Sequence, residues 1–323
     1  MQEGRRETRI SPYTEAMNTM RFLLCVPALL LVALLSLPSA ASAAGAVHVL
    51  TVQGVINPVQ ARYVAGGIAA ANAAGAAAIV IKLDTPGGLD TSMREIVQSI
   101  LASNTPVIVW VAPGGARAAS AGMFITIAAP VAAMAPNTAI GAATPVQSGG
   151  ETIEGDLRNK AMNDAAAYAR DLAERHNRNA DWADRAIREA ISASSREAVE
   201  LRVVDFVADD LNSLLQQANG RTVTTATGRV TIAITDTSVI DDQMDPIERL
   251  LLVITDPTIA ALLLAIGSLA IFVELQNPGS VFPGVVGVIS LIVGLFGLGT
   301  LPLNLAALAL VVVGLGLLAF EQI

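Results

Sequence analysis

Short apolar runs alternate with longer segments of helical period from Val47 to about Ala218. The short runs are rich in Val, Ile, Leu and Ala and predict buried strands, whereas the longer ones predict helices. Strands that alternate with helices predict a parallel α/β sheet, which binds ligands at the carboxyl ends of its strands. The predicted strands lie at 47–54, 77–88 and 106–113, and the predicted helices between them at 59–75 and 91–103.

The second half of this region is more polar. It predicts helices at 161–179 and 181–191, and then a helix and a strand within 194–209. Ser194 and Glu197 have the spacing of a capping box, which fixes the start of that helix. The stretch 222–235 alternates around Gly228 and predicts either a hairpin or a linker.

The composition changes sharply at Ile247, and three apolar stretches follow with hardly a charge. Runs of this kind predict membrane spans better than buried helices of a soluble protein. Asp256 and Pro257 interrupt the first stretch, which therefore allows a shorter span preceded by an interfacial helix. The candidate spans lie at 259–273, 281–299 and 303–320.

The amino terminus carries a second kind of apolar segment, at 22–37, which follows Arg21. Ala41 and Ala43 then provide the small residues of a signal peptidase site, so residues 1–43 predict a cleaved signal peptide. An uncleaved anchor is the alternative, since the run approaches the length of a span. The predicted organisation is a signal peptide at 1–43, a catalytic domain at 44–220, a linker at 221–246 and a transmembrane region at 247–323.

Composition narrows the classes of function. The 323 residues are 53% hydrophobic with a mean hydropathy of +0.57, which agrees with membrane segments. The net charge of −8 makes nucleic-acid binding a poor expectation. The single cysteine, Cys25, lies inside the predicted signal, which excludes thiol catalysis, disulfides and cysteine-based zinc sites from the mature chain.

A possible nucleophile, Ser120, lies among very small residues in GGARAASAGMF (114–124), directly after a predicted strand. The small neighbours admit either a substrate or a crowded helix contact. A serine nucleophile needs a base, and the chain has only two histidines, His48 and His176. Neither follows a loop at the predicted catalytic edge, which argues against a Ser-His-Asp triad.

The chain also has only two lysines, and a lysine made neutral by burial can replace the histidine. Lys82 lies inside a predicted strand, where pairing with an acid is its simplest role. Lys160 opens a predicted helix after a glycine-containing loop, 40 residues beyond Ser120, and a solvated lysine is the alternative there. Gly87 and Gly88, at the end of the second strand, could donate backbone N–H groups to an oxyanion, although a simple tight turn explains them as well.

Taken together and in order, several motifs resemble the long form of the NfeD membrane serine proteases. This family shares the ClpP and crotonase fold and is similar to signal peptide peptidase A. The resemblance covers essentially residues 47–323, and the order of the motifs is more specific than any one of them. The motifs are LDTPGG (83–88), GGARAASAG (114–122), AAMAPNTAIGAATPV (132–146), the helix that begins at Lys160, and ELQNPG (274–279).

The resemblance implies a ClpP/crotonase-like spiral of ββα units followed by an all-α transmembrane region. It also implies a membrane serine endopeptidase with a Ser120–Lys160 dyad and oxyanion glycines Gly87 and Gly88, without metal or cofactor. The expected substrates are apolar segments of stomatin-like membrane proteins. A small carboxyl-terminal domain of the OB type normally follows, and we expect this sequence to be a fragment that ends before it.

Three other functions share part of this pattern. An enzyme acting on coenzyme A thioesters would use the same fold, but the predicted export argues against that cofactor. A non-catalytic membrane scaffold that partners a stomatin-like protein would tolerate loss of Ser120. A metal site at Asp84, Asp90 and Glu95 has no reliable ligand spacing. The favoured expectation is a homo-oligomeric, multi-pass protein of the bacterial inner membrane, with its protease domain on the periplasmic or extracytoplasmic side.

Overall fold

The main sheet has six parallel strands, which are ordered β11-β1-β2-β3-β5-β8 in a computed structural model. The aliphatic residues of β1, β2, β3 and β5 are buried on both faces, as expected for a parallel sheet covered by helices. The strands are β1 (Val47–Gln53), β2 (Ala78–Asp84), β3 (Val107–Val111), β5 (Val131–Met134), β8 (Phe206–Val207) and β11 (Val239–Asp241). The structure describes residues 45–146, 153–235, 238–276 and 281–299, and residues 305, 309, 310, 312 and 313.

Alternate residues of the central strands β1, β2, β3 and β5 enter two different apolar clusters, one on each face of the sheet. On β2, Ile79, Ile81 and Leu83 join the larger cluster, and Ala78 and Val80 join the smaller one. This period of two is the expected result of strand pleating. The helices that cover the sheet are α1 (Pro58–Ala74), α2 (Asp90–Leu101), α3 (Ala121–Ala128), α4 (Gly155–Arg175), α5 (Ala180–Arg188), α6 (Ser195–Glu200) and α7 (Leu211–Ala218).

A second, smaller sheet lies beside the main one and consists of β4 (Arg117–Ala119), β6 (Ala139–Gly141) and β7 (Ser192–Ser194). The chain visits the two sheets in turn, because β3 is followed by β4 and α3, and β5 by β6 and α4. This alternation confirms the predicted α/β spiral of ββα units. It also brings the amino terminus of α3 to the end of a short strand.

Helix ends follow the local sequence in most places. Asn57 caps α1 by accepting the Gln60 N–H, and Gly75 ends the helix in the left-handed conformation. The predicted capping box of Ser194 and Glu197 is present. In contrast, α4 begins six residues before the predicted start at 161, because its first two turns are exposed and polar and give no apolar periodicity.

The predicted linker at 221–246 is folded onto the domain. β9 (Thr222–Thr225) and β10 (Gly228–Thr231) form an antiparallel hairpin, and the following Ile232 is buried in the smaller cluster. β11 then pairs with β1 as the edge strand of the main sheet. The hairpin is one of the two structures that the alternation around Gly228 predicts, whereas a three-residue strand in a polar stretch has too little pattern to be predicted from sequence.

The carboxyl-terminal region contains α8 (Pro246–Ile254), α9 (Pro257–Gln276) and α10 (Val281–Gly297). Within the described residues, α9 is the one helix whose length and mean hydropathy of 2.3 suit a membrane span. The predicted signal at 1–43 lies outside the described residues. The predicted span at 303–320 lies almost wholly outside them. α9 and α10 pack closely, since a Cβ on Gly267 would lie 2.9 Å from the Gly287 carbonyl oxygen.

We expect a fragment of residues 44–245 to be more stable than one of residues 44–220. The shorter fragment loses the buried Ile232 and the pairing of β11, which should cost about 3 kcal/mol or more and lower the Tm by roughly 10 °C. Thermal unfolding followed by circular dichroism measures the difference. Equal Tm values would mean that residues 221–245 act as a linker after all.

Candidate active site

Ser120 lies between β4 and α3, in a backbone conformation that few non-glycine residues adopt. Its φ is 52° and its ψ is −115°. Such a conformation costs on the order of 1–3 kcal/mol and is found mainly at functional sites. The Ser120 N–H donates to the Gly141 carbonyl (3.0 Å), and its carbonyl accepts the Met123 N–H (3.0 Å). These two bonds fix a half-buried hydroxyl at the positive end of a helix dipole.

Glycines let the neighbouring chain approach this serine closely. A Cβ on Gly87, whose φ is +121°, would lie 2.7 Å from the Ser120 Cβ and 3.2 Å from its Oγ. A Cβ on Gly122 would lie 2.6 Å from the Thr85 Cγ2. The small residues around Ser120 therefore allow crowded packing, and that packing brings the Gly87 backbone against the hydroxyl.

Thr85 is a residue of the site that the sequence analysis did not single out. It is fully buried, and its Oγ1 accepts the Gly87 N–H (3.0 Å) and lies 3.1 Å from the Gly87 carbonyl oxygen, to which it can donate. Its backbone accepts from Ala119 (3.1 Å) and donates to Arg117 (2.7 Å), which joins the end of β2 to β4. The only sequence signal was its place in LDTPGG, directly before the turn.

Gly88 is held differently from Gly87. The Gly87 carbonyl accepts the Ile56 N–H (2.8 Å), and the Ile56 carbonyl accepts the Leu89 N–H (2.9 Å). A Cβ on Gly88 would lie 2.1 Å from the Ile56 carbonyl oxygen, so only glycine fits. Among the described residues, no hydrogen bond occupies the N–H of Gly88 or that of Ala121, the first residue of α3.

Lys160 lies in the second turn of α4, and its side chain is exposed. Within the part of the chain that the structure describes, no hydrogen bond or ion pair joins the Lys160 side chain to Ser120 or to any other residue. The helix is attached to α3 further along, where Tyr168 stacks on Phe124 with ring centroids 5.9 Å apart. Eight residues of helix, about 12 Å, separate that contact from Lys160. The structure thus brings Gly87 to Ser120 and leaves Lys160 in solvent.

The other candidate bases lie elsewhere. His48 is buried on β1, and its Nδ1 is 2.7 Å from Asp242 Oδ2. His176 binds the Ala128 carbonyl through Nε2 (3.0 Å), at the opposite end of α3 from Ser120. Lys82 is half-buried on β2 and has no ion pair among the described residues. Asp84, Asp90 and Glu95 belong to no metal-like cluster of acids and histidines in the described ranges.

The carboxyl end of α3 is held by a buried cation. The Arg178 guanidinium donates to the carbonyls of Ile127 (2.7 Å) and Ala129 (2.8 Å), and it pairs with Asp205 (2.8 Å). Burial, and then the charge of Arg178, lowers the pKa of His176 from 6.5 to about 4, so its imidazole is neutral near pH 7. The helix that follows Ser120 is therefore fixed at both ends.

Residues 46–226 match the NfeD1b N-terminal domain, and residues 258–323 match the NfeD integral membrane domain. The chain belongs to the NfeD family. The membrane domain and a membrane-bound relative make it a membrane protein, and its α/β region has the predicted parallel-sheet fold.

Two curated relatives of this NfeD chain are of different kinds. The membrane-bound protease PH1510 of Pyrococcus horikoshii is 39% identical over 245 residues, which are 74% of this chain and 55% of the relative. The membrane protein NfeD1b of Bacillus subtilis is 27% identical over 264 residues, 78% of this chain and 56% of the relative. The chain thus spans about half the length of the curated relatives it matches.

Two solved structures of the 1510-N membrane-bound stomatin-specific protease share the fold of the NfeD amino-terminal domain. A lysine-to-alanine mutant in complex with a substrate peptide is 36% identical to this chain, with a TM-score of 0.61. The match covers 65% of this chain and 97% of the mutant's chain. A serine-to-alanine mutant has 37% identity and a TM-score of 0.58, and covers 62% and 98%.

The low pKa of His176 predicts a pH-dependent stability. Unfolded His176 takes up a proton near pH 6.5 and the folded form only near pH 4, so the free energy of unfolding should fall as the pH drops through this window. The full effect is about 3 kcal/mol. Urea unfolding of wild type and His176→Gln between about pH 7 and pH 4 tests it, because Gln keeps an N–H donor without titrating. Parallel pH profiles for the two proteins would refute this assignment.

Proposed function

We propose that this chain is a membrane-bound serine endopeptidase that hydrolyses apolar peptide segments, with a stomatin-like membrane protein as its substrate. The observation that carries the proposal is Ser120, held at φ 52° at a helix amino terminus against the Gly87 backbone. The similarity to a stomatin-specific protease supports the reaction and the substrate class.

Ser120 and Lys160 would act as nucleophile and base. The Lys160 amine takes the proton from Ser120 Oγ, and Oγ attacks the carbonyl carbon of the peptide bond. The resulting ammonium protonates the leaving amine, the C–N bond breaks, and an acyl-enzyme remains on Ser120. Water then gives a proton to Lys160 and attacks the ester, which releases the acid and restores the serine.

The oxyanion would be stabilised by backbone amides. Gly87 and Gly88 are the predicted donors, but the Gly87 N–H is already bonded to Thr85. The unoccupied amides of Gly88 and Ala121 therefore suit the role better, and Gly87 would contribute by its close approach to Ser120. Loss of one such donor costs roughly 3 to 4 kcal/mol in measured cases.

The spacing of the two catalytic residues supports Lys160 as the base. In the relative, the number of residues from the replaced serine to the replaced lysine differs by only one from the number from Ser120 to Lys160. An exposed lysine must lose its proton before it can act, and burial of an amine beside apolar atoms favours the neutral form. An apolar substrate that covers Ser120 and Lys160 together would supply that burial.

Apolar side chains near the site suit an apolar peptide. Val55 and Leu89 are exposed beside the Ile56–Gly88 bridge, and Leu157 is exposed one turn before Lys160. Exposed large apolar groups near a cleft commonly mark a binding surface.

We further propose a homo-oligomeric, multi-pass protein with this domain on the extracytoplasmic side, because the predicted signal peptide directs export of the domain that begins at residue 44.

Ser120→Ala and Lys160→Ala should each lower peptide hydrolysis by at least about a thousandfold, as losses of nucleophile and base do elsewhere. The substrate is an apolar carboxyl-terminal segment of a stomatin-like protein, and mass spectrometry identifies the cuts. Lys160→Arg keeps the charge but cannot serve as a base, so it should also be inactive.

Lys82→Ala serves as the matched lysine control and should keep its activity. Turnover by Lys160→Ala would remove the dyad assignment, and cutting by Ser120→Ala would point to another site. A wild type that cuts no peptide in vesicles or in detergent would favour the non-catalytic scaffold.

Gly87→Ala should abolish the same hydrolysis, because its methyl group would lie against the Ser120 side chain. Gly228→Ala is a matched control, since its φ of +114° imposes similar backbone strain while no atom lies within 4 Å of the added Cβ. Both variants should lose about 1–2 kcal/mol of stability. Equal activity of the two variants would show that the contact with Gly87 does not matter for catalysis.

A further inference from the structure

The helix α8 exposes three large apolar side chains between the protease domain and the first candidate span. Ile247, Leu250 and Val253 are 70%, 60% and 55% exposed, and their three-residue spacing places them on one side of the helix. No residue of α8 is buried. We call these three residues the apolar stripe.

The polar residues at the start of α8 are engaged in holding that start in place. Asp245 and Glu248 form a capping box, and Arg249 donates to the Met244 carbonyl (3.0 Å) and to the Gln243 side chain. The charged residues of the helix, Glu248 and Arg249, are therefore confined to its first turn and engaged there, and the rest of the helix is apolar. A polar start followed by an exposed apolar stripe suits a helix that lies at a membrane surface.

α9 and α10 form a helical hairpin, and the end of this hairpin at which α8 lies gives the depth of α8 in the membrane. Two residues separate the end of α8 from the start of α9, and the 20 residues of α9 measure about 30 Å, the thickness of the hydrocarbon core. α10 runs back along α9, because Gly287 lies against Gly267 and Gly294 against Ala260. Its last residue, Gly297, approaches the Ile254 carbonyl, where a Cβ would lie 2.3 Å away. Both helices therefore meet α8 at the same end of the hairpin.

We infer that α8 lies in the plane of the membrane interface, with the apolar stripe inserted between lipid headgroups and the first acyl carbons. The lipid bilayer is the occupant because the stripe continues into the exposed apolar surface of α9, which carries Leu262, Ile266 and Leu269. Residues 247–273 then form a span preceded by an interfacial helix, whether or not the chain has peptidase activity.

An anchored α8 also sets the height of the site above the bilayer. Thr255, directly after α8, accepts a hydrogen bond from the Asn57 side chain (3.0 Å), and Asn57 caps α1. The neighbouring Ile56 pairs with the loop that carries Gly88. α8 thereby holds this loop close to the lipid surface, where an apolar peptide leaving the membrane would first emerge.

Depth-dependent quenching tests the inference on the full chain in phosphatidylcholine vesicles. Cys25→Ser removes the one cysteine, and single cysteines at Ile247, Leu250 or Val253 then carry an environment-sensitive fluorophore. Lipids brominated near the headgroup should quench all three labels more than lipids brominated near the chain ends. Leu269→Cys gives the deep reference, and Leu201→Cys, an exposed leucine after α6, gives the aqueous one.

The labels at 247 and 253 should report the same shallow depth. A helix that continued the span would separate them by about 9 Å along the membrane normal, which would overturn the inference. Labels at all three positions that match the aqueous control would overturn it as well, and would indicate a protein partner or a second copy on the stripe. Exposed positions tolerate such substitutions, and circular dichroism of each variant checks the fold.

Discussion

The close approach of four backbone segments around Ser120 and its loop is the constraint on which the candidate site depends. Each approach needs a glycine, because an added Cβ at Gly87, Gly88, Gly122 or Gly141 would lie between 2.1 and 2.7 Å from a neighbouring atom. These glycines join different elements: Gly87 meets the serine, Gly88 meets Ile56, Gly122 meets Thr85, and Gly141 meets Ile191. Real Cβ contacts are much longer, so the two sheets and α3 could not converge here with any other residue.

The geometry at the serine is maintained from the far end of its helix as well. Arg178 and a neutral His176 together bind three successive carbonyls at the carboxyl end of α3, and Asp205 balances the buried cation. A positive group at this end complements the helix dipole, whose other end faces Ser120. A strained residue persists only where its surroundings over-determine it. Here the surroundings include both ends of an eight-residue helix.

The parts of the fold that depend on strong periodicity could be predicted from sequence. β3 is a continuous apolar run and β1 and β2 are largely apolar, and the helices between them have clear caps or amphipathic faces. β4, β6, β7 and β11 have three residues each, and their pairing depends on contacts distant in sequence, so no local pattern reveals them. At the site, Ser120 was visible from its small neighbours. The role of Thr85 was not, because its hydroxyl acts on the backbone two residues away.

The edge strand β11 has a consequence for a protein that would handle extended peptides. An open sheet edge is a template onto which any extended chain can add as a further strand. β11 occupies this position along Val47–Val49, and beyond it the Thr51 N–H donates to the Tyr63 hydroxyl (3.1 Å), which in turn donates to the Asp242 carbonyl. The chain thus covers the β1 edge with the segment that leads to the membrane, so an extended peptide cannot add directly to β1 along Val47–Val49. The edge that remains is the three-residue β11, and a strand this short offers few backbone groups to an added chain.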